Sequence, residues 1–249
     1  MNTQLLKILK KAGKIATTEQ KKMTVDIKKD KSIVTNGDLA VSKFLETELK
    51  KLYPDHDVFS EENTETSPSS KKVIVIDPID GTESYSRVQD SWSILVGFLY
   101  NNQIHGGIVY QPSKNLLYYG FKDQGAFKLD FKLNTKVKME ALNKSNSLGV
   151  CSPKDYGEQL FMKKLGFTNQ EYSYSAALKI MQVAEGYADI YANFRKKCSI
   201  WDLIAPVAIL NEAGGMIKYN PLIEYNFNKT HIDADFCCFG KTINEKDIF

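Results

Sequence analysis

Hydrophobic side chains in the first twenty residues recur every three or four positions, with lysines between them. This is the period of an amphipathic α-helix that buries one stripe, here from Leu5 to Ala16. We assign the lysines to a solvated face, because no large aromatic residue accompanies them as it would at a membrane surface. A second stripe over residues 41–52 predicts another helix, which opens after the capping cluster at 35–38 and stops before Pro54.

The middle of the chain has the patterns of β-strands. An unbroken run of β-branched residues at 73–76 predicts a strand that is buried on both faces. Apolar segments at 92–100, 104–110 and 116–121 are separated by turn residues, which predicts an antiparallel meander. Further along, alternating helices and strands are typical of an α/β sheet. The helices are predicted at 174–185 and 202–213, and the strands at 189–191, 215–219 and 236–239.

These elements predict one integrated domain with two parts. Residues 1–145 form an α+β part that contains the meander, and residues 146–249 form a smaller α/β part. With 249 residues, of which 43% are hydrophobic, the chain is long enough to bury a sizeable core. The pattern therefore excludes a disordered, collagenous or coiled-coil protein.

Composition and charge exclude further classes of protein. The 33 basic and 30 acidic residues leave a net charge of +3, which is too small to indicate a nucleic-acid partner. No apolar run approaches the roughly 20 residues that span a bilayer, and no secretory signal peptide is recognisable. The four cysteines match no zinc or redox spacing, so we interpret them as buried, reduced thiols. The composition therefore predicts a cytoplasmic protein without a nucleic-acid or membrane partner.

The segment 77–82, Asp-Pro-Ile-Asp-Gly-Thr, carries the most informative chemistry. It places two aspartates three residues apart at the end of the predicted buried strand. Pro78 stiffens the turn between them, and Gly81 allows a close approach that a side chain would block. Such carboxylates either form a turn and cap a helix or supply hard oxygen ligands to Mg²⁺. The segment alone leaves both alternatives open.

Two other acidic positions favour the metal. Glu61 and Glu62 follow the apolar pair at 58–59, so they also stand at the end of a predicted strand. Far downstream, Asp202 lies at the start of the helix that is predicted to end at residue 213. There it either caps the helix or reaches a metal, because a carboxylate at a helix N-terminus can do both.

Taken in order, these motifs resemble the inositol monophosphatase family, a group of Mg²⁺-dependent, lithium-sensitive phosphatases. Several spaced motifs in one order are a far more specific signal than a single Asp-Pro-Ile-Asp. The similarity extends along nearly the whole chain. It is carried by residues 35–38, 61–62, 77–82, 108–112, 201–202 and 212–215.

The resemblance implies a ligand set for two Mg²⁺ ions. Glu61, Asp77 and the main-chain carbonyl of Ile79 would bind one ion. Asp77, Asp80 and Asp202 would bind the second, with Asp77 shared between the two. Glu61 would also help to bind a weaker third ion. The electrostatics agree, because carboxylates crowded together repel one another unless divalent cations neutralise them.

The resemblance also implies the reaction. Thr82, paired with Asp38, would activate a water molecule, and the backbone N–H groups of Gly81 and Thr82 would hold the phosphate. The water would hydrolyse a phosphate monoester without a phosphoenzyme, mostly through positioning and charge neutralisation. The expected fold is the layered α-β-α-β-α sugar-phosphatase architecture, and the expected assembly is a homodimer.

Residues outside the metal site indicate the substrate. Ser175 and Lys179 lie in the segment 174–179, which borders the substrate in this family, and its closing Leu-Lys resembles the bisphosphate nucleotidases. The stretch 192–200 contains Arg195 and two lysines but no acid, where inositol phosphatases carry a glutamate. A basic cluster there favours a substrate with a second anionic group, and a solvated loop is the alternative. The predicted substrate-binding set is Glu61, Asp80, Gly81, Thr82, Ser175, Lys179, Arg195 and Asp202.

Other positions depart from the nucleotidases. Glu-Ser-Tyr at 83–85 is closer to the inositol enzymes, and isoleucine precedes Trp201 where nucleotidases tend to have glutamate. We predict a 3′(2′),5′-bisphosphate nucleotidase that removes the 3′-phosphate of adenosine 3′,5′-bisphosphate. The alternative is an inositol-1-phosphatase, or a broad sugar phosphatase, with the same metal site. A non-catalytic binding protein is a third hypothesis, which the complete carboxylate set argues against.

Overall fold

A computed structural model of the chain describes residues 2–28, 32–65, 67–142, 148–152, 155–167, 169–172 and 175–241, with residues 243, 246 and 248. Over these residues the chain folds into six α-helices and fourteen β-strands. The helices are α1 (Thr3–Gln20), α2 (Asn36–Leu52), α3 (Thr82–Ser86), α4 (Tyr156–Lys164), α5 (Ala176–Ala184) and α6 (Ile200–Glu212). The strands are β1 (Val25–Ile27), β2 (Ile33–Thr35), β3 (Asp57–Ser60), β4 (Lys72–Asp80), β5 (Ser93–Tyr100), β6 (Gln103–Gln111), β7 (Leu116–Phe121), β8 (Gly125–Asp130), β9 (Thr135–Met139), β10 (Leu148–Cys151), β11 (Asn169–Tyr172), β12 (Ile190–Asn193), β13 (Met216–Asn220) and β14 (Asp235–Phe239).

Most of the strands build two sheets, and β1 and β2 form a separate antiparallel pair. The large sheet has the order β3-β4-β5-β6-β7-β8-β9, with β3 and β4 parallel and the other neighbours antiparallel. Its strands β5 to β7 confirm the predicted meander, and β8 and β9 extend it. The small sheet has the order β11-β10-β12-β14-β13, in which β10 is parallel to both of its neighbours.

Alternate side chains of the large sheet face two different cores. In β4, Ile74 and Ile76 pack in a cluster that contains the buried stripes of α1 and α2. Val73 and Val75 lie in a second cluster, together with α5, α6 and residues of the small sheet. Successive side chains of a strand point to opposite faces, so this strand separates two helical layers. The predicted burial of β4 on both faces is therefore confirmed.

Helix α6 packs directly against the meander. A side chain at Gly107 would come within 2.1 Å of the Ala205 carbonyl oxygen, so this close approach of the two backbones requires glycine. The small sheet covers the other side of α5 and α6. Helix α4 packs on the outer face of that sheet, where Met162 joins Ile190 and Cys237. The order of layers is α-β-α-β-α, which confirms the fold expected from the sequence.

Two helices begin earlier than the sequence predicts, because each has a capping box. Helix α2 begins at Asn36, and the side chain of Thr35 accepts backbone N–H groups of its first turn. Helix α6 begins at Ile200, with Ser199 as its N-cap. Asp202 is therefore not the cap itself. It occupies the third helical position, where its carboxylate accepts the backbone N–H of Ser199.

Helix α4 and strands β10 and β11 have no counterpart in the sequence prediction, because these segments are too short to show a clear period of apolar residues. Helix α5 lies within the helix predicted at 174–185, whose first residue is outside the described residues. The predicted boundary at residues 145 and 146 is outside them as well, and the division into two parts stays a prediction. All four cysteines are buried and free, as expected. Across the described part of the chain, no helix is long and apolar enough to cross a membrane.

Candidate active site

The carboxyl ends of β3 and β4 bring Glu61 and Asp77 to one edge of the large sheet. These two strands are parallel, and their pairing ends at Ser60 and Ile76. The backbone N–H of Glu61, the first residue after β3, donates to the carbonyl oxygen of Ile76 over 3.1 Å. Because parallel strands end at the same edge of a sheet, Glu61 and Asp77 follow the ladder as neighbours.

The end of β4, which carries Asp77 and Asp80, does not pair regularly with β5. The register with β5 shifts between Asp77 and Asp80, and Asp77 Oδ1 accepts the backbone N–H of Ile79 over 3.0 Å. Gly81 follows with a φ of 88°, and a Cβ there would come within 2.6 Å of the Ser91 carbonyl oxygen. Both the left-handed backbone and the close contact require glycine at this position.

Asp202 completes a group of three carboxylates from distant parts of the chain. The backbone N–H of Ser199 donates to Asp202 Oδ2 over 2.5 Å and so orients its side chain. Asp77, Asp80 and Asp202 each offer one carboxylate oxygen, and these oxygens lie within 4.8 Å of one another. We call these three residues the carboxylate cluster.

Burial and mutual repulsion destabilise the charged form of the cluster. Burial is the largest cause that raises the pKa of all three aspartates, and neighbouring carboxylates raise the pKa of Asp77 and Asp202 further. A hydrogen bond from Ser175 opposes the rise at Asp80. Buried oxygen donors of like charge are the set that a hard divalent cation neutralises and binds. The residues present therefore fit a metal.

Glu61 makes an ion pair that the sequence analysis missed. Lys28, the residue after β1, donates to Glu61 Oε1 over 2.8 Å and to Glu62 Oε1 over 2.7 Å. Burial raises the pKa of Glu61 to about 7, although Lys28 opposes the rise. No sequence pattern distinguishes Lys28 from the other lysines, because its contact with Glu61 joins residues 33 positions apart.

Asp38 and Thr82 lie next to each other beside the cluster. The Thr82 hydroxyl is 3.4 Å from Asp38 Oδ1, and it donates to the carbonyl oxygen of Ile79 over 3.0 Å. Asp38 Oδ2 accepts the backbone N–H and the hydroxyl of Thr35, over 2.8 and 2.6 Å. Burial raises the pKa of Asp38 to about 6, although these bonds lower it. A fixed carboxylate with a pKa near neutrality is suited to accept a proton.

A cavity of about 590 Å³ opens beside these residues. Its volume is in the range of small-molecule binding sites. Both carboxylates and basic residues line it. A single bound molecule could therefore contact both kinds of charge. The charged and hydroxyl groups of the lining include Glu61, Asp80, Thr82, Lys179, Arg195 and Asp202.

Lys179 is a lysine with only 2% of its surface exposed. Its Nζ donates to Ser152 Oγ over 3.1 Å and lies 4.6 Å from the centre of the Tyr191 ring. Burial lowers the pKa of Lys179, although Glu158 opposes the fall. A cation held in this way at a cavity surface is suited to bind an anion. We call Ser152, Lys179, Tyr191 and Asn193, all of which line the cavity, the lysine wall.

Ser175 and Arg195, both predicted to bind substrate, have different surroundings. Ser175 is fully buried, and its hydroxyl donates to Asp80 Oδ2. The backbone N–H of Ala177 donates to the same oxygen over 3.1 Å. Ser175 therefore contacts the carboxylate cluster rather than the cavity. Arg195 lines the cavity from the exposed loop after β12, where its backbone N–H donates to Asn193 Oδ1 over 3.2 Å.

Comparison with known proteins identifies relatives along most of the chain. The model of the inositol monophosphatase family matches residues 1–219. The chain is 29% identical to the 3′(2′),5′-bisphosphate nucleotidase CysQ of Aggregatibacter actinomycetemcomitans, over 93% of this chain and 90% of the relative. It is also 29% identical to the inositol-1-monophosphatase of Bacillus subtilis, over 84% of this chain and 81% of the relative. Among solved structures, the IMPase of Thermotoga maritima has a TM-score of 0.79 at 24% identity, over 97% of this chain and 92% of that one.

Proposed function

We propose that this chain, which belongs to the inositol monophosphatase family and is a phosphomonoester hydrolase, removes the 3′-phosphate of adenosine 3′,5′-bisphosphate. One observation carries the choice of substrate: the buried ammonium of Lys179 lines the same cavity as the carboxylates. A bisphosphate has one phosphate to hydrolyse and a second anionic group to bind. Arg195 and Lys197 line the cavity as well and would add to the attraction of that second group.

Members of this family are generally metal-dependent, and we propose Mg²⁺ as the ion. Glu61, Asp77 and the carbonyl oxygen of Ile79 would hold one ion. Asp77, Asp80 and Asp202 would hold a second, and Glu61 would help with a weaker third. When bound, the ions would acidify the attacking water and neutralise the charge that develops on the leaving oxygen. The mutual repulsion of the cluster supports this set, because only added positive charge relieves it.

Thr82 and Asp38 would together accept the proton of the attacking water. The Thr82 hydroxyl, 3.4 Å from Asp38 Oδ1, would accept a hydrogen bond from the water and donate to the carboxylate. Thr35 holds the other oxygen of Asp38, which keeps Oδ1 directed at Thr82. The raised pKa of Asp38 supports a role as proton acceptor. The backbone N–H groups of Gly81 and Thr82 would hold the phosphate that is transferred.

Inositol-1-phosphate is the second candidate substrate, together with other sugar phosphates. The identity to the Bacillus subtilis inositol-1-monophosphatase equals that to the nucleotidase, which favours it as an alternative. The stretch between Tyr191 and Trp201 argues against it. That stretch contains no acidic residue to bind ring hydroxyls, and three of its residues are basic.

The test is phosphate release from adenosine 3′,5′-bisphosphate and from inositol-1-phosphate, measured side by side with Mg²⁺ and with EDTA. We expect turnover only with Mg²⁺ and a higher kcat/KM for the bisphosphate. A higher kcat/KM for inositol-1-phosphate would replace the first candidate by the second. Turnover that survives EDTA would contradict the proposed role of the metal.

A further inference from the structure

Glu158 on α4 is a completely buried carboxylate outside the carboxylate cluster. Its Oε2 accepts the backbone N–H of Ser152 over 2.7 Å, and its Oε1 accepts the backbone N–H of Phe194 over 3.1 Å. Its own backbone N–H donates to Asp155, the N-cap of the helix, over 2.9 Å. The helix end and both carboxylate oxygens of Glu158 are therefore fixed.

These bonds join the ends of two neighbouring strands. Strands β10 and β12 are parallel, with Val150 paired to Tyr191. Ser152 and Phe194 are the first residues after the two strands, where an N–H group has left the ladder and needs another acceptor. Glu158 supplies both acceptors. It thereby holds the carboxyl edge of the small sheet, which is where ligands bind in sheets of this kind.

The two residues that Glu158 holds are directly connected to the lysine wall. On one side, Ser152 Oγ accepts a hydrogen bond from Lys179 Nζ over 3.1 Å. On the other side, Phe194 follows Asn193, whose Nδ2 donates to the hydroxyl of Tyr191 over 2.8 Å. The Tyr191 ring in turn faces the Lys179 ammonium at 4.6 Å. Both supports of that ammonium thus depend on backbone positions that Glu158 fixes.

Glu158 also offsets the cost of burying the ammonium. Charged groups lose favourable hydration when they are buried, and a carboxylate nearby compensates part of that loss. The other acidic and thiol groups near Lys179 that raise its pKa include Asp80, Cys151 and Cys198. Asp80 belongs to the carboxylate cluster, and both thiols are neutral because burial raises their pKa. Among these groups, Glu158 favours the charged form of Lys179 most, and it does not belong to the carboxylate cluster.

We infer that Glu158 is a positioning residue that gives the cavity its selectivity for a phosphate ester with a second anionic group. It does not line the cavity. It places Lys179 to bind that second group. This inference rests on the function proposed above, and it assigns the selectivity to a helix in which the sequence shows no motif.

The test compares Glu158→Gln with a matched control, Glu212→Gln. Glu212 also accepts backbone N–H groups, those of residues 123–125 over 2.7 to 3.1 Å, and it does not line the cavity. Both substitutions keep the size of the side chain, remove one charge and replace an acceptor oxygen by a donor. The assay is kcat and KM for adenosine 3′,5′-bisphosphate and for inositol-1-phosphate, with Mg²⁺ present.

For Glu158→Gln we expect KM for the bisphosphate to rise about tenfold, with a change in kcat of less than about twofold. The ratio of the two kcat/KM values, bisphosphate over inositol phosphate, falls accordingly. Glu212→Gln leaves that ratio unchanged. If Glu158 acts through Lys179, the substitution has no further effect on the ratio in a Lys179→Met background, because the group through which Glu158 acts is already absent there.

Thermal unfolding shows whether each variant folds. If Glu158→Gln does not fold, Ser152→Ala tests the same connection. It removes the hydroxyl that accepts a hydrogen bond from Lys179 but keeps the backbone N–H that donates to Glu158.

A wild-type protein without preference for the bisphosphate contradicts the proposed function, and this inference with it. A wild-type preference that survives Glu158→Gln, or Ser152→Ala in its place, contradicts the inference alone. An equal loss on both substrates shows a merely structural role and overturns it as well.

Discussion

The carboxylate cluster and the lysine wall are two solutions to the problem of buried charge in one cavity. The cluster gathers three carboxylates whose oxygens lie within 4.8 Å of one another, so its charges repel. The lysine wall holds one ammonium against a hydroxyl and an aromatic ring, with the buried carboxylate of Glu158 behind them. The cluster has no opposite charge of its own, whereas Glu158 offsets part of the cost of burying the charge of the wall. The difference predicts that the cluster is the part of the cavity that depends on a cation.

Burial acts on both regions in the same way but with opposite results. It raises the pKa of Asp77 and lowers that of Lys179, because each side chain loses hydration of its charged form. In the cluster, neighbouring carboxylates add to the effect of burial. In the wall, Glu158 opposes it. Substitutions in the two regions are therefore expected to change different steps, metal-dependent turnover in one and substrate affinity in the other.

The largest effect is expected from Asp80→Asn. The substitution removes one charge from the cluster, so we expect kcat with Mg²⁺ to fall on the order of 100-fold or more on every substrate. Asp57→Asn is the matched control. Like Asp80, Asp57 accepts backbone N–H groups, two of them over 2.8 Å each, but it lies outside the cavity. Near-normal turnover of Asp80→Asn would show that the cluster is not the metal site.

A smaller, substrate-dependent effect is expected from Lys179→Met. Loss of a charge-assisted hydrogen bond to the second anionic group lowers kcat/KM for the bisphosphate roughly 10- to 100-fold, chiefly through KM. Lys128→Met, which removes an ion pair of 2.6 Å with Glu185 outside the cavity, is the control. A fall in kcat at constant KM would place Lys179 with the cluster and remove the contrast between the two regions.

The smallest effect is expected in the stability of the protein with EDTA. The carboxyl group of Glu61 has an ordinary pKa of 4.5, which burial raises to about 7 in the folded state. Between these pH values the folded state binds more protons than the unfolded state, so the free energy of unfolding falls as the pH rises. The buried aspartates of the cluster act in the same direction. We expect the melting temperature to fall by a few degrees over this window, at about 2–4 °C for each kcal/mol.

Differential scanning calorimetry from pH 4.5 to 7 measures this trend. Excess Mg²⁺ should reduce it, because the cation compensates the charges of the cluster. Asp77→Asn should reduce it with EDTA as well, because one of the repelling carboxylates is removed. A melting temperature that stays constant or rises with pH in EDTA would show that the carboxylates do not destabilise one another.

Much of the fold can be predicted from local patterns. Helix α1, the buried strand β4 and the meander follow from the spacing of apolar residues, which is a property of neighbours in the chain. The starts of α2 and α6 were predicted too late. The side chains at Asp38 and Asp202 close capping boxes from inside their helices, and a motif of polar residues does not show which of its members is the cap.

The candidate site is predictable in its residue types and less so in its contacts. The spacing within 77–82 places two carboxylates at a strand end, and the positions of Glu61 and Asp202 favour a metal as well. The resemblance then assigns these residues as ligands. No sequence pattern marked Lys28 or Glu158, because a charged residue in a polar segment is normally solvated. Their importance comes from contacts with strand ends far away in the chain.

The family, the layered order of helices and strands, and the acidic segment at the end of β4 can all be predicted from the amino-acid sequence. These depend on short-range periodicity and on motifs, which are present before the chain folds. Three kinds of contact are visible only in the folded chain: Asp202 meets Asp77 and Asp80, Ser175 bonds to Asp80, and Glu158 holds the ends of β10 and β12. The contacts of Asp202 and Ser175 form when α5 and α6 pack between the two sheets, and those of Glu158 form when α4 packs on the outer face of the small sheet. Packing, rather than any local preference, then determines which buried charges become neighbours.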